Sequence, residues 1–387
     1  PPPPGIHQVK AIPMATERPD GPGGPASPFN RTAQHDAKRL AILSQAAKLF
    51  NYKGSRGTTL KDIAESLGLT KTSLYYYVKT KEELIYQCYL AALDHHLHSL
   101  DRIEEAYASP LDRASAFFLQ HFDDWLAAQE GRGPHIAALL EIASLKGAHR
   151  KEVETRYIAF FKRLRGYLRA GISENSLREF DDTSATLAIL GSVDWAFSWL
   201  HNVPRTEVRN VAREALDIIA RGLFTGPGPY QPLARLPADR ETPGLAGFDR
   251  SEQNRLKQEA FYKTGTWYFN KQGFSGTSLD EIADHLNVSK GAFYYHIKNK
   301  EDLLYNCYDR SIDMIDSIYQ EAGQLPDTGM ARLDIACRRI FQVQNSGNGP
   351  LIRYNSITAL PMERRKKILK RTAASNRKFG DFIRQGL

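Results

Sequence analysis

Hydrophobic positions in this chain recur at the three- and four-residue spacing of amphipathic helices, and no series of segments shows the alternation expected of strands. The first buried stripe predicts a helix over about 34–52 and consists of Leu40, Ile42, Leu43, Ala46, Ala47 and Phe50. Gly54 and Gly57 follow the stripe and are expected to end the helix. The pattern therefore predicts an all-α fold.

Two short helices joined by a tight turn are predicted next. Thr59 is placed to cap the first, with Asp62 three residues later completing a capping box. Thr70 is placed to cap the second, Lys71–Val78, and a long helix is expected from Lys81 to about Arg102. Two short helices around a turn, supported by longer helices, form a helix-turn-helix.

The same pattern recurs 219 positions later without a gap. Phe50–Tyr89 and Phe269–Tyr308 share 19 identities in 40 positions. The expected caps of the second copy are Ser278 with Glu281, then Ser289 before Lys290–Ile297. A repeat of this length with matched spacing is one module duplicated.

Further helical patterns follow each copy, near 110–130, 134–146, 148–173, 181–201 and 206–224 after the first. The second copy lacks counterparts of the last two, so either the chain is a fragment or its second module is truncated. Stretches rich in Pro and Gly predict a disordered arm and a linker. The expected domains are an arm at 1–32, a helix-turn-helix domain at 33–82, a helical regulatory domain at 83–224, a linker at 225–250, a second helix-turn-helix domain at 251–301 and a partial regulatory domain at 302–387.

Positive charge is concentrated in the repeated module. The net charge is +8, while residues 31–81 carry ten basic and three acidic residues and residues 250–300 carry eight and five. A phosphate-binding surface requires such a concentration, although solvated helix faces would also show it.

Other classes of protein find little support in the chain. No apolar run is long enough to span a membrane, and no secretory leader pattern is present. Cys88 and Cys307 share one repeat position, which favours buried small side chains in a reducing cytoplasm. No familiar catalytic motif occurs, so neither an enzyme nor a cofactor is expected.

A helix that enters the major groove needs small polar residues near its start and flanking donors for phosphates. The candidates for base contacts are Thr70, Lys71, Thr72 and Ser73 in the first copy and Ser289, Lys290, Gly291 and Ala292 in the second. The candidates for phosphate contacts are Thr58, Tyr75, Tyr76, Tyr77 and Lys81, and then Thr277, Tyr294, Tyr295, His296 and Lys300. Adjacent helical tyrosines point about 100° apart, so one of each pair can be a core residue while the other faces outward.

The run Thr59–Leu84, with its Ile63-Ala64, Tyr75-Tyr76 and Lys81-Glu82 pairs, resembles the TetR/AcrR family of bacterial transcription regulators. The run Ser278–Leu303 resembles the pattern of this family even more closely. The resemblance implies two tandem units, each with a three-helix DNA-binding head and a helical domain for ligand binding and dimerisation. It also implies that the patterns at 181–201 and 206–224 form a dimer interface. The residues assigned to that interface or to an effector pocket are Leu187, Leu190, Trp195, Trp199, Leu216 and Ile219.

The expected function is a bacterial cytoplasmic repressor, nucleoid-associated when bound to double-stranded DNA and responsive to a small hydrophobic or amphipathic effector. Its heads differ at likely base-facing positions, which predicts non-identical half-sites. The chain could act as an internal pseudo-dimer, or two chains could form a homodimer with four heads. The alternative is an architectural DNA-binding protein of weak sequence specificity that lacks an effector response.

Two further clusters have competing interpretations. The run His95-His96-x-His98 is expected to be a solvated face rather than a metal site. The basic run 364–371 is expected to be a charged outer face of a helix, with phosphate contact as the alternative.

Overall fold

The protein consists of α-helices in two compact units that divide between Leu223 and Phe224. The computed structural model describes residues 28–223, 230–232, 250–325 and 327–386, and these ranges contain no β-strand. The all-α expectation is confirmed for them. Most of the predicted arm and linker lies outside the described residues. The first helix nevertheless begins at Pro28, inside the predicted arm, because a proline fits the first turn of a helix.

The helices of the first unit are α1 Pro28–Lys53, α2 Leu60–Ser66, α3 Lys71–Tyr75, α4 Lys81–Ala106, α5 Pro110–Gln129, α6 Gly147–Ser173, α7 Asp182–Asp194, α8 Ala196–Leu200 and α9 Val208–Arg221. A 3₁₀ turn, Ile142–Ser144, lies between α5 and α6. We call residues 28–81 head one and residues 82–223 body one. Helix α4 packs against α1 of the head and against α5 and α6 of the body, so it joins the two.

The helices of the second unit are α10 Arg250–Gly276, α11 Leu279–His285, α12 Lys290–His296, α13 Lys300–Gly323, α14 Gly329–Asn345 and α15 Met362–Gly386, with a 3₁₀ turn at Tyr354–Ala359. Helix α10 is interrupted at Gly273, whose positive φ of 67° suits glycine. We call residues 250–300 head two and residues 301–386 body two. Helices α11 to α14 begin 219 positions after α2 to α5, so the sequence repeat is also a structural repeat.

Each unit has its own buried core. In the first unit a continuous cluster runs from Ile42 and Ala46 of α1 through Leu93 of α4 to Phe160 of α6. In body two, Tyr319, Ala336 and Phe382 bring α13, α14 and α15 together. Because the first cluster crosses from head to body, a change in packing within body one is mechanically connected to head one.

Residues 134–146 do not form the helix that their apolar spacing predicted. The Asn51 side chain on α1 donates to the Ile136 carbonyl at 2.8 Å and accepts from the Ala138 amide at 2.9 Å. Backbone groups that a helix would pair internally are satisfied by this side chain instead, so residues 134–139 form no helix. Asn270 repeats the arrangement with the Leu351 carbonyl at 2.9 Å and the Arg353 amide at 2.8 Å. We call each of these two-bond contacts an asparagine clamp.

Three smaller expectations are also corrected. Leu40 is 63% exposed, because it borders an open groove between α1 and α4 and no side chain of the described residues covers it. The second short helix ends at Tyr75 rather than Val78, since the Tyr77 and Val78 amides both turn back to the Leu74 carbonyl. The pattern at 181–201 forms two helices, α7 and α8, separated at Trp195.

Candidate DNA-binding surfaces

Head one contains the predicted helix-turn-helix. Thr59 Oγ1 accepts from the Asp62 amide at 3.1 Å, and the Asp62 carboxylate accepts from the Thr59 amide at 2.7 Å. These hydrogen bonds from Thr59 lower the pKa of the Asp62 carboxyl. Gly68, with φ of 66°, forms the turn, and Thr70 caps α3 by accepting from the Ser73 amide at 3.1 Å. The capping box and the turn are therefore confirmed.

Head two follows the same plan with one difference at its first cap. Ser278 occupies the N-cap of α11, but its side chain accepts no hydrogen bond from the helix, so the predicted box with Glu281 is wrong. The backbone ψ of Ser278 is 135°, against 160° at Thr59. The turn at Asn287 has a positive φ of 52°. Ser289 caps α12, because its Oγ accepts a hydrogen bond from the Ala292 amide at 3.2 Å.

The second short helix of each head presents its polar side outward, and we call α3 and α12 the reading helices. Each is anchored by one buried side chain, Leu74 in α3 and Phe293 in α12. Every candidate for base contact on the two helices is exposed: Thr70, Lys71, Thr72, Ser73, Ser289, Lys290, Gly291 and Ala292. An anchored helix with an exposed polar start has the geometry needed to enter a major groove.

Aromatic side chains extend each surface. Tyr76 is 77% exposed and Tyr295 is 83% exposed, and the preceding tyrosines, Tyr75 and Tyr294, are exposed as well. The helical spacing required only one tyrosine of each pair to face outward, whereas both are exposed. The next residue along is half-buried in each head, and Tyr77 stacks on His35 while His296 lies against Phe261.

Two predicted phosphate donors are wrong. Thr58 and Thr277 are buried, and their hydroxyls donate to the carbonyls of Leu49 and Gly273 at 3.4 and 2.8 Å. A hydroxyl engaged this way inside the core cannot reach DNA. Sequence reasoning missed this role because a threonine before a helix is equally compatible with an exposed donor and an internal brace.

The lysines that begin α4 and α13 also turn inward. The Lys81 ammonium donates to the Ser55 carbonyl at 3.0 Å, and the Lys300 ammonium donates to the Thr277 carbonyl at 2.7 Å. Lys300 also lies 4.7 Å from the centre of the Phe274 ring. Both side chains brace the loop before the first short helix, so the predicted direct contact with phosphate is not supported by their geometry.

The predicted dimer or effector residues divide into two groups. Leu187 on α7 is 54% exposed, whereas Leu190 and Leu216 are buried in the core of their own unit and are not available to a partner. The other three are half-buried: Trp195 stacks on Phe197, Trp199 packs against Phe122, and Ile219 borders the core. Ile218 on α9, which is not one of the six predicted residues, is 48% exposed.

Body one adjoins an open groove of about 600 Å³ between α1, α4 and the loop at 134–137. Its lining is mainly apolar and includes Leu40, Leu43, Ala47, Cys88, Ala91 and Ile136. Charged side chains of Arg39 and Asp94 lie at its edge. A volume of this size matches that of sites for small organic ligands.

A smaller cavity of about 40 Å³ lies beside α5 and the end of α7. His121 and Trp125 line it, and the Nδ1 atom of His121 and the Nε1 atom of Trp125 have no hydrogen-bond partner among the described residues. Burial lowers the pKa of His121 to about 4 and raises the pKa of the Asp194 carboxyl to about 7. At neutral pH the His121 side chain is therefore neutral, and the Asp194 carboxyl holds its proton to a higher pH than an exposed carboxyl does.

The histidine run on α4 is not a solvated face, which corrects the sequence analysis. His96 is buried against Phe160, and burial lowers its pKa well below the ordinary range. His95 contacts the Asp124 carboxylate at 2.7 Å, and His98 contacts the Asp94 carbonyl at 2.7 Å. Within the described residues no group of three or more His, Cys, Asp or Glu side chains is placed to hold a metal ion.

Two other sequence interpretations can be compared with the structure. Cys88 and Cys307 are both buried, and burial raises the pKa of each thiol. In the basic run on α15, Arg365 is buried, whereas Arg364 pairs with Asp302 and Arg371 pairs with Asp309. Part of the positive charge of this run is therefore neutralised or buried within body two.

The heads and bodies together define a helix-turn-helix regulator with helical domains behind its DNA-binding surfaces. The family model described as bacterial regulatory proteins of the tetR family matches residues 42–88 and again 265–306. A second model, described as the C-terminal domain of tetracyclin repressor-like proteins, matches residues 118–223. The chain belongs to the TetR family of DNA-binding transcriptional regulators.

Several similar proteins span about half of this chain. The HTH-type transcriptional repressor KstR2 of Rhodococcus jostii is 26% identical over 198 residues, which are 51% of this chain and 96% of that protein. KstR2 of Mycolicibacterium smegmatis is 26% identical over 213 residues, 54% of this chain and 97% of that protein. The solved TetR-family regulator PfmR of Thermus thermophilus is 30% identical, with a TM-score of 0.40, over 47% of this chain and 98% of its own. None of the helices in the described ranges is long and apolar enough to cross a membrane.

Proposed function

We propose that this protein is an effector-responsive repressor that reads an operator with two non-identical heads in one chain. The observation that carries the proposal is the pair of exposed reading helices, each anchored by one buried residue and flanked by an exposed tyrosine, Tyr76 or Tyr295. Repressor function is consistent with the names of the similar KstR2 proteins. We expect the protein to act in the bacterial cytoplasm.

Selection of binding sites from random duplex DNA with the purified full chain tests this function. A specific regulator is expected to bind the selected operator about 10³-fold or more tightly than random DNA at the same stated salt concentration. A ratio near unity would contradict the proposal and favour an architectural DNA-binding protein without an effector response.

The difference between the heads is expected to appear in the operator. Thr72 and Ser73 of head one align with Gly291 and Ala292 of head two, and a Cβ added at Gly291 would meet open space. The substitutions Thr72→Gly and Ser73→Ala give head one the reading positions of head two. They are expected to make the two selected half-sites more alike, and an unchanged selected sequence would contradict this assignment.

The effector is expected to be small and hydrophobic or amphipathic. Its apolar part fits the groove of about 600 Å³, and a polar group fits the smaller cavity of about 40 Å³, where Trp125 offers a donor. Both spaces share the loop residues His135, Ile136 and Ala137, and the asparagine clamp ties this loop to α1 of head one. An effector that moves the loop would therefore move the head.

A thermal-shift screen of small hydrophobic and amphipathic compounds, followed by operator binding, tests the effector site. Ile136→Trp reduces the volume of the groove, and the substituted residue is not part of either reading helix. The variant is expected to bind the operator like the wild type while losing the response to any active compound. A full response in this variant would place the effector elsewhere.

Association of chains is expected through α7 and α9. Leu187 and Ile218 leave exposed apolar surface on these helices, as a self-complementary interface requires. Sedimentation of the wild type and of Leu187→Glu tests the expectation, and a variant that associates like the wild type would contradict it.

A further inference from the structure

The two heads differ in charge where the first short helix begins. Residues 31–81 carry ten basic and three acidic residues, while residues 250–300 carry eight and five. Three basic residues account for the difference, because the other charge changes between the aligned heads cancel. They are Lys53, Arg56 and Lys61, which are replaced in head two by Gln272, Ser275 and Asp280. Among these three positions, only the change from Lys61 to Asp280 reverses the sign of the charge.

Asp280 bonds directly to the reading helix of its own head. Its Oδ2 accepts from the Lys290 ammonium at 2.6 Å, and its Oδ1 accepts from the Tyr294 hydroxyl at 3.3 Å. Hydrogen bonding to Lys290 lowers the pKa of the Asp280 carboxyl, so the carboxylate is ionised at neutral pH. Because Lys290 and Tyr294 belong to the exposed face of α12, Asp280 lies at the edge of that face.

The equivalent residues of head one are arranged differently. Lys71 lies 5.5 Å from the centre of the Tyr75 ring, so this lysine and tyrosine contact each other. The Lys61 ammonium forms an ion pair with the Glu65 carboxylate on the same helix, with 3.5 Å between Nζ and Oε1. No carboxylate corresponds to Asp280, since the residue at that position is itself a cation.

This difference changes how each head meets duplex DNA. The first helix of a helix-turn-helix crosses the phosphate backbone, so a residue at its start lies near phosphates. Lys61 adds attraction there, while Asp280 repels phosphate and competes with it for the Lys290 ammonium. The Lys290 ammonium has three N–H donors. One of them stays on Asp280, and two remain for the edges of bases. Base contacts by Lys290 thus survive the Asp280 bond, whereas phosphate contacts are weakened.

We propose that Asp280 is a specificity-determining residue that suppresses sequence-independent binding by head two and aims Lys290 at bases. Head one supplies most of the phosphate attraction, and head two supplies discrimination. The inference rests on the proposed function, because it assumes that both reading helices meet DNA.

Binding of the full chain to random duplex DNA and to the selected operator, at several salt concentrations, tests the proposal. Asp280→Lys is expected to raise the affinity for random DNA about tenfold at 0.1 M salt and to steepen the salt dependence by about one unit of slope. The ratio of operator to random-DNA affinity is expected to fall. Asp280→Asn keeps the size of the side chain and is expected to act in the same direction with a smaller effect.

Two matched variants separate this role from net charge. Glu321→Lys makes the same change in charge near the far end of α13, about 30 Å along that helix from head two. It is expected to leave both affinities close to the wild type. Lys61→Asp in head one is the reciprocal exchange and is expected to weaken binding to random DNA.

The outcomes distinguish a failure of the role assigned to Asp280 from a failure of the proposed function. Equal effects of Asp280→Lys and Glu321→Lys, or no effect of either Asp280 variant on random-DNA binding, would overturn the assignment of Asp280 while leaving the regulator intact. A wild-type chain that binds no duplex DNA would instead overturn the proposed function. Thermal unfolding of each variant verifies the fold, and Asp280→Asn carries the test if Asp280→Lys is unstable.

Discussion

Asp194 is a half-buried residue whose ionisable carboxyl lies at the end of α7. Burial raises the pKa of its carboxyl from 3.8 to about 7. Between these values the folded protein holds a proton that the unfolded chain has released. The contribution of Asp194 to stability therefore falls as the pH rises from about 4 to about 7, and it stays low above that range.

We expect Asp194→Asn to remove this dependence. The variant should unfold like the wild type near pH 4 and be more stable near pH 8, by on the order of 3 kcal/mol. Denaturant unfolding at a series of pH values measures the difference, in which the opposing contribution of the buried His121 cancels. Asp217→Asn on the exposed side of α9 is the control for the lost charge. A difference between Asp194→Asn and the wild type that does not grow with pH would contradict the prediction.

At the scale of elements, the asparagine clamps connect each head to its body. Asn51 bonds to both the Ile136 carbonyl and the Ala138 amide, and Asn270 makes the equivalent bonds in the second unit. We expect Asn51→Ala to lower the free energy of unfolding by about 1–3 kcal/mol, because two partly buried backbone groups lose their partner.

Asn51→Asp makes the prediction more specific. The carboxylate can still accept from the Ala138 amide but cannot donate to the Ile136 carbonyl, so an intermediate loss is expected. Denaturant unfolding measures both variants, and Asn270→Ala provides the matched test in the second unit. Unchanged stability of both alanine variants would show that the loops are held without the clamps.

The clamps also mark where prediction from the sequence stopped. Caps, turns and buried stripes could be predicted because each depends on residues three or four positions apart, as with Thr59 and Asp62. The loop at 134–146 could not, because its backbone is satisfied by Asn51, more than 80 positions away. The same limit applied to Thr58 and Lys81, whose polar atoms suit DNA contact but are used inside the fold. The identity of Asn51 and Asn270 in the two copies was the available signal.

Two equivalent phenylalanines test how the repeated bodies differ. Phe122 on α5 is 1% exposed and packs against Trp199, while Phe341, 219 positions later on α14, is 72% exposed. Within the described part of body two, no helix covers this face of α14. We expect Phe122→Ala to cost about 3–5 kcal/mol, and Phe341→Ala to change stability by less than about 0.5 kcal/mol. Thermal unfolding measures both, and a large loss from Phe341→Ala would show that its face is covered in solution.

At the scale of the whole molecule, one chain carries two heads of unequal charge. Arg221 and Arg250 are separated by 28 residues, which can span at most about 100 Å. Half-sites in successive major grooves lie about 34–36 Å apart, so the connection is long enough for both heads to reach one duplex. Binding of the second head is then intramolecular and gains from its effective concentration.

We therefore expect a duplex with both selected half-sites to bind about 10²-fold or more tightly than a duplex with one. Tyr76→Ala and Tyr295→Ala each weaken one reading surface, and each is expected to remove much of this advantage. Titration of the two duplexes with the wild type and both variants measures it, while sedimentation of the complex counts the chains per duplex. One chain on two half-sites would establish the internal pseudo-dimer, and two chains would establish a homodimer with four heads. Equal affinity for the one-site and two-site duplexes would contradict joint reading, because it would mean that the second head gains nothing from being tethered to the first.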